Sequence, residues 1–352
     1  MSKTATGGRV AYADLLRVVA MLAVIVVHLA GSRLGNVAVG SAEFHILNAY
    51  DGLTHWCVPV FIMLSGMFLL DPNHSLPPSK LVFGHILRIL IALAVWGTAY
   101  ALVTQALAAG LSWAAVKTAL YQVLLGKTHF HLWFLYMIVG LYLVTPILRA
   151  FVRGAGRAEF HWFLLLAFLF ASLLPTLLRL RPSQTMSLWV DNLDLHLVLG
   201  YVGYYVLGYY LKTFPLNRAA ELLIYLLGVL GAAATVGGTA WLSQQRGQLI
   251  QTLYNYDSAN VVLMSVAVFV LFRRILGARE KESQRVSGVA KVSFGVYLVH
   301  VFCLMALDQL NISVLSITPV LAVPLLTAAV FACSFVVAWL ISKLPLVGRY
   351  LT

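Results

Sequence analysis

Apolar runs of about 20 residues recur from one end of this chain to the other, and a run of that length crosses the hydrocarbon core of a bilayer as a helix. A water-soluble core cannot absorb them all: 61% of the 352 residues are hydrophobic and only 10% are charged. The chain therefore reads as an all-α, polytopic integral membrane protein. Helices are the sensible spanning element, because each backbone polar group must find its partner within the segment. Ten spans are expected, roughly over 12–30, 52–70, 83–108, 132–149, 161–179, 196–212, 220–242, 258–276, 291–310 and 319–342. The stretch 111–125 (LSWAAVKTALYQVLL) is too short and too amphipathic to span, and reads as a helix lying at the interface. The basic stretch 273–291 (RRILGAREKESQRVSGVAK) reads as a solvated loop, and no long hydrophilic segment is left for a separate soluble domain.

Orientation follows from counting Lys and Arg on alternate sides of these spans. Sixteen fall on one side, six on the other, and Arg17 and Arg88 lie inside spans. The positive-inside rule then puts both termini in the cytoplasm. The net charge of +12 needs no nucleic-acid partner, since this bias and contact with anionic membrane lipid account for it. Lys3, Arg9, an apolar run and the small residues Ala30, Gly31 and Ser32 have the outline of a cleaved signal peptide, but Asp14 and Arg17 interrupt its apolar region, so no cleavage is expected. Cys57, Cys303 and Cys333 are scattered through the spans and suggest neither a metal site nor a disulfide framework. The absence of a convincing internal repeat disfavours transporter folds built from paired halves.

Ionisable residues within spans are expensive, so they point to polar cavities that do work. Arg17 and His28 stand 11 residues apart, three helical turns plus about 20°, on one face. The rise of 1.5 Å per residue separates them by roughly 16 Å. Arg17 either snorkels to headgroups and pairs with Asp14 at i, i+3, or it faces a ligand. Arg88 reaches a similar depth, and unless it too snorkels, two arginines opening on the cytoplasm form a clamp for a polyanion. His28 is either a core histidine bonded to a neighbouring helix or a general base, since an imidazole titrates near neutral pH and can take a proton from a hydroxyl.

Other polar groups cluster near these. In HWCVPVFIMLSGMFLL (55–70), Pro59, Ser65 and Gly66 read first as a kink or a close helix contact. HFHLWFL (129–135) sets His129 and His131 beside Trp133, either an interfacial aromatic belt or the wall of an acceptor pocket on which a sugar stacks. His300, in SFGVYLVH (293–300), lies mid-span with structural and functional readings both open.

Taken in order, these motifs resemble the membrane acyltransferase family 3, bacterial integral O-acetyltransferases that modify surface polysaccharides. Arg-x10-His is Arg17 to His28; VPVFIMLSGMFLL resembles the family's PxFFxxSGyll; Arg88 matches a basic position of the third helix; and YLVH, ending at His300, resembles a late YLxH. FGHILRIL departs from the pattern in placing His85 where a second basic residue is often found. The stretch HLWFLYMIVGLYLVTPIL (131–148) looks closest to the branch containing the enterobacterial common antigen O-acetyltransferase.

The resemblance implies one membrane acyltransferase domain over 1–352 with no fused soluble domain, residing as a multi-pass protein in the bacterial cytoplasmic (inner) membrane. It implies acetyl-CoA as a co-substrate, no tightly bound cofactor or metal, and a cell-surface or polyprenyl-linked saccharide as acceptor. Carried over, His28 is the catalytic base and Arg17 and Arg88 bind the donor. Asp14, Ser65, His131, Trp133 and His300 are candidates for support or for the acceptor pocket. A flexible pantetheine arm has a length comparable to the Arg17–His28 separation. The rival expectation is a transporter or flippase for a lipid-linked sugar or an anion, and a scaffold subunit of a polysaccharide-synthesis complex ranks last.

Overall fold

The computed structural model describes residues 10–110, 112–193, 200–277, 284–345 and 347–352, which are helical with no strand among them. Eight helical stretches are long and apolar enough to cross a membrane: Ala11–Leu34, Ala42–Leu69, Lys80–Ala108, Phe130–Gly154, Arg157–Leu180, Arg218–Arg246, Thr252–Leu276 and Pro319–Ser342. They match eight of the ten expected segments. The other two fall short. The segment 291–310 forms Ser293–Gln309, 17 residues, because Asn311 turns to a positive φ of 55° and stops the helix. In 196–212 the helix covers Val202–Thr213, and 194–199 lie outside the described residues. Of the cations counted for orientation, Lys3, Arg9, Arg279 and Lys281 also lie outside them.

The expected loop at 273–291 is corrected by a helix over Gln284–Lys291. Val286, Val289 and Ala290 stand at helical spacing, and this face packs against the first helix, with Ala290 buried. The stretch expected at the interface forms a helix over Trp113–Leu124, capped by Ser112, whose hydroxyl accepts from the Ala115 N–H at 3.1 Å.

Helices α1 (Ala11–Leu34), α2 (Ala42–Gly52) and α3 (Cys57–Leu69) form the centre of the molecule. The stretch Ala42–Leu69 is the most enclosed, with 67% of its apolar window buried, whereas Arg218–Arg246 is peripheral at 17% and turns Leu222, Leu226 and Val229 outward. That stretch is broken between Gly52 and Cys57, and Pro59 follows in the first turn of α3, where a missing N–H is tolerated.

Further along, α3 crosses the helix Val202–Thr213 at backbone contact. A Cβ on Gly66 would stand 1.8 Å from the Tyr205 carbonyl oxygen, and a Cβ on Gly208 1.9 Å from that of Met63. Reciprocal glycines at such a crossing are the small-residue packing device of membrane helices.

Ion pairs and carbonyl clamps hold the two ends of the bundle. At one end Lys212 pairs with Asp71 at 2.6 Å, and Arg149 donates to the carbonyls of Leu69, Asp71 and His74 at 2.6, 2.9 and 2.6 Å. At the other, Arg33 pairs with Asp308 and Arg179 with Asp257.

Candidate active site

α1 presents Arg17, Val24 and His28 to one cavity, positions i, i+7 and i+11 along a single stripe. α3 adds Val58, Phe61 and Ser65 to its wall. A π-helical segment, Lys80–Ile86, leads into α4 (Leu87–Ala109), and the change of helical register there turns His85 and Arg88 to the same space. Trp113–Leu124 is α5, and α6 (Trp133–Gly154) contributes Trp133, Ile138 and Tyr142. Ser293, Phe294 and Tyr297 close the far side. The cavity measures about 290 Å³.

Arginine chemistry gathers at its Arg17 end. Arg17 keeps an ion pair with Asp14 at 3.1 Å, so pairing along the helix and lining the cavity are both realised in one residue. Asp14 itself is buried and does not line the cavity. Arg88 donates to the Thr352 main-chain oxygen and lies over the Phe294 ring at 5.3 Å, while its buried Nε has no hydrogen-bond partner among the described residues. The two guanidiniums and the His85 imidazole thus face one half of the space.

The other half is built of imidazoles. His28 stacks on His300 with ring centroids 5.3 Å apart and 22° between planes. His131 meets the edge of His300 at 5.6 Å. A carbonyl can only accept, so the 2.6 Å contact from His300 Nδ1 to the Tyr297 oxygen fixes the proton on Nδ1. The Nε2 atoms of His300 and His131 are buried without a hydrogen-bond partner among the described residues. His300 backs His28 from behind and is not part of the cavity wall, whereas His131, Trp133 and Ser65 are.

A second cavity of about 620 Å³ begins where the first ends. One turn beyond the first cavity's stripe, α1 offers Val27, His28, Gly31 and Ser32, and the opposite wall comes from Asp51, His55, Tyr201 and the loop Gln251–Asp257. His28, Trp133 and Tyr256 belong to both cavities. A third, smaller cavity of about 180 Å³ reaches His28 from the side of Arg33 and His129. His28 is therefore the point at which spaces from both ends of α1 meet. No group of three or more His, Cys, Asp or Glu placed to hold a metal occurs among the described residues.

Of the residues singled out in the sequence, Arg17, His28, Ser65, Arg88, His131 and Trp133 come to one cavity; His300 stacks on His28 outside its wall, and Asp14, also off the wall, pairs with Arg17. Sequence reasoning missed Tyr142, Tyr256 and Tyr297 in the first cavity and Asp51 and His55 in the second. A phenol within a span carries a polar tip that needs a partner, and that signal was present at Tyr142 and Tyr297. Asp51 and His55, at i and i+4, were legible as a pair but fell at the expected edge of a span rather than inside one.

A family model described as an acyltransferase domain, that of the acyltransferase-3 family, matches residues 10–342. Neither a curated protein nor a solved structure matches the chain.

Proposed function

Because this chain belongs to the membrane acyltransferase-3 family, we propose that it is an acetyl-CoA-dependent O-acetyltransferase acting on a saccharide, with His28 as the general base. That it is a multi-pass membrane acyltransferase follows from the family and the spans; donor, acceptor and residue roles are our reading. The observation that carries it is the position of His28 in both cavities, so that two substrates can converge on one imidazole from opposite ends of α1.

Acetyl-CoA enters at the Arg17 end, where the guanidiniums of Arg17 and Arg88 take its anionic groups. Its pantetheine arm runs along the stripe Arg17, Val24, His28, over roughly 16 Å. A hydroxyl of the acceptor comes through the second cavity and gives its proton to His28 as its oxygen attacks the thioester carbonyl. The C–S bond breaks, the acetyl group stays on the acceptor oxygen as an ester, and the CoA thiolate receives a proton as it leaves. The developing oxyanion needs a donor. The His300 proton is held by the Tyr297 carbonyl, and Ser65 bonds Tyr142 at the arginine end of the cavity, so neither of these two supplies it. Orientation by charge bias puts the Arg17 end in the cytoplasm and the second cavity outside, as suits the inner membrane of a bacterium and a cell-surface or polyprenyl-linked acceptor. A place near the enterobacterial common antigen O-acetyltransferases rests on residues 131–148 and is part of the same proposal.

The test is calorimetry of acetyl-CoA binding to the purified protein in nanodiscs, joined to an assay of CoA thiol release. Binding lost in Arg17→Ala and Arg88→Ala but kept in His28→Ala, with thiol release lost in His28→Ala, supports the scheme. Near-normal release by His28→Ala sinks it. Folded protein that neither binds acetyl-CoA nor releases thiol restores the transporter alternative.

A further inference from the structure

The second cavity has a chemistry of its own. Among the described residues neither Lys nor Arg appears in its wall, and the two acidic residues there are unequal. Asp257 is held by Arg179. Asp51 is 2% exposed, and its Oδ1 accepts no hydrogen bond among the described residues. His55 does not satisfy it: His55 Nδ1 stands 3.5 Å from that oxygen and gives its proton to the Asp51 main-chain carbonyl at 2.8 Å. On the α1 side, Gly31 leaves room for the carboxylate, since a Cβ there would lie 3.1 Å from Asp51 Oδ2. Gly31 is three residues from His28 on α1, so the carboxylate and the imidazole face the same space less than a turn apart.

Flat rings make up much of the rest. Trp133 and Tyr256 stack at 5.7 Å with 20° between planes, and His55 stacks on Tyr254 and Tyr256 at 4.6 and 5.4 Å. Gln251 and Asn255 add carboxamides to the same wall. A volume of about 620 Å³ lies within the usual range for small-molecule sites. Carbon faces of a pyranose match the rings, and its hydroxyls match the carboxylate and carboxamides.

Resting on the reading of His28 as the base, we infer that the acceptor's pyranose ring stacks in the second cavity on Trp133 and Tyr256, and that Asp51 binds a hydroxyl next to the one His28 deprotonates.

The test uses the whole protein in nanodiscs, with methyl β-glucoside and methyl β-N-acetylglucosaminide as probes. Binding is read as protection of Trp133 from quenching by acrylamide, taken as the difference between wild type and Trp133→Phe. CoA thiol release is measured beside it, and acetyl-CoA binding verifies that each variant is folded. Both glycosides should protect Trp133. Asp51→Ala should weaken that binding by about tenfold, the loss of one hydrogen bond to the ligand. A folded Asp51→Ala that binds like wild type, or no protection by either glycoside, overturns the assignment. Protection does not depend on catalysis. Glycosides that protect while no thiol is released leave the cavity assignment standing and sink the transferase reading; thiol release without protection does the reverse.

Discussion

Replacing Gly66 by Ala adds one methyl group at the tightest helix crossing that serves the site. The new Cβ would stand 1.8 Å from the Tyr205 carbonyl oxygen, 2.6 Å from its carbon and 2.9 Å from its Cα. The shortest ordinary contact is about 3.4 Å, so the two helices must separate by more than an ångström at that point. No rotamer relieves this, because the obstacle is backbone on both sides: Gly208 meets the Met63 carbonyl in the same way at 1.9 Å. Overpacking in a well-filled core costs about 1–3 kcal/mol, and backbone-on-backbone overlap puts Gly66→Ala at about 3 kcal/mol or more. The neighbouring Ser65 lies on the cavity wall, so the same separation should lower acetyl-CoA affinity as well. The assay is the apparent melting temperature of purified protein, with Gly140→Ala as control, since a Cβ on Gly140 meets nothing within 4 Å. Gly66→Ala should melt well below wild type and Gly140→Ala beside it. Equal melting of both variants would refute the crossing as described.

Two further outcomes follow from charged groups. Arg88→Lys keeps the charge but loses the planar fork, and should weaken acetyl-CoA binding by about tenfold in calorimetry, since a hydrogen bond between charged groups is worth about 1.5–3 kcal/mol; unchanged affinity removes Arg88 from the donor site. Burial raises the Asp71 carboxyl, but the Lys212 ammonium at 2.6 Å and the Asn73 N–H at 2.9 Å outweigh it and hold the group below its ordinary value. A depressed folded-state value gives stability that is present above the unfolded carboxylate range and is lost as pH falls through the folded one. Wild-type melting temperature should therefore drop on acidification, and Lys212→Met should flatten that drop; parallel curves would contradict it.

The span pattern and the α1 stripe were legible in the sequence because both are properties of one continuous helix. Period and rise alone place Arg17 and His28 on one face, and both do line the first cavity. Arg88 was legible as a depth, counted from a span end. What could not be read was how separate helices meet. The stacking of His300 behind His28 depends on where Ser293–Gln309 packs, and no local spacing encodes it. The loop Gln251–Asp257, which supplies much of the second cavity, shows no periodicity to mark it. Asp51 was hidden differently. Glu43, His45, Asn48 and Asp51 dilute the apolar run of α2, so the sequence reads as apolar only from 52, whereas the helical stretch starts at Ala42 and encloses the Asp51 side chain.

The same geometry bears on whether His28 acts as base or carries the acetyl group itself. An acetyl-imidazole forms when the ring attacks the thioester in the absence of an acceptor, releasing CoA thiol once per chain and leaving a mass adduct on His28. Direct transfer needs the acceptor hydroxyl and the thioester on the same imidazole at once. A histidine open to two cavities provides for that, and a covalent relay would not require it. Without acceptor, then, wild type should show only slow thiol release through water, with no initial burst equal to the amount of protein and no acetylated His28 by mass spectrometry after rapid quenching. A burst with an adduct on His28 would replace the base mechanism by a two-step one, and the second cavity would then serve only the second step.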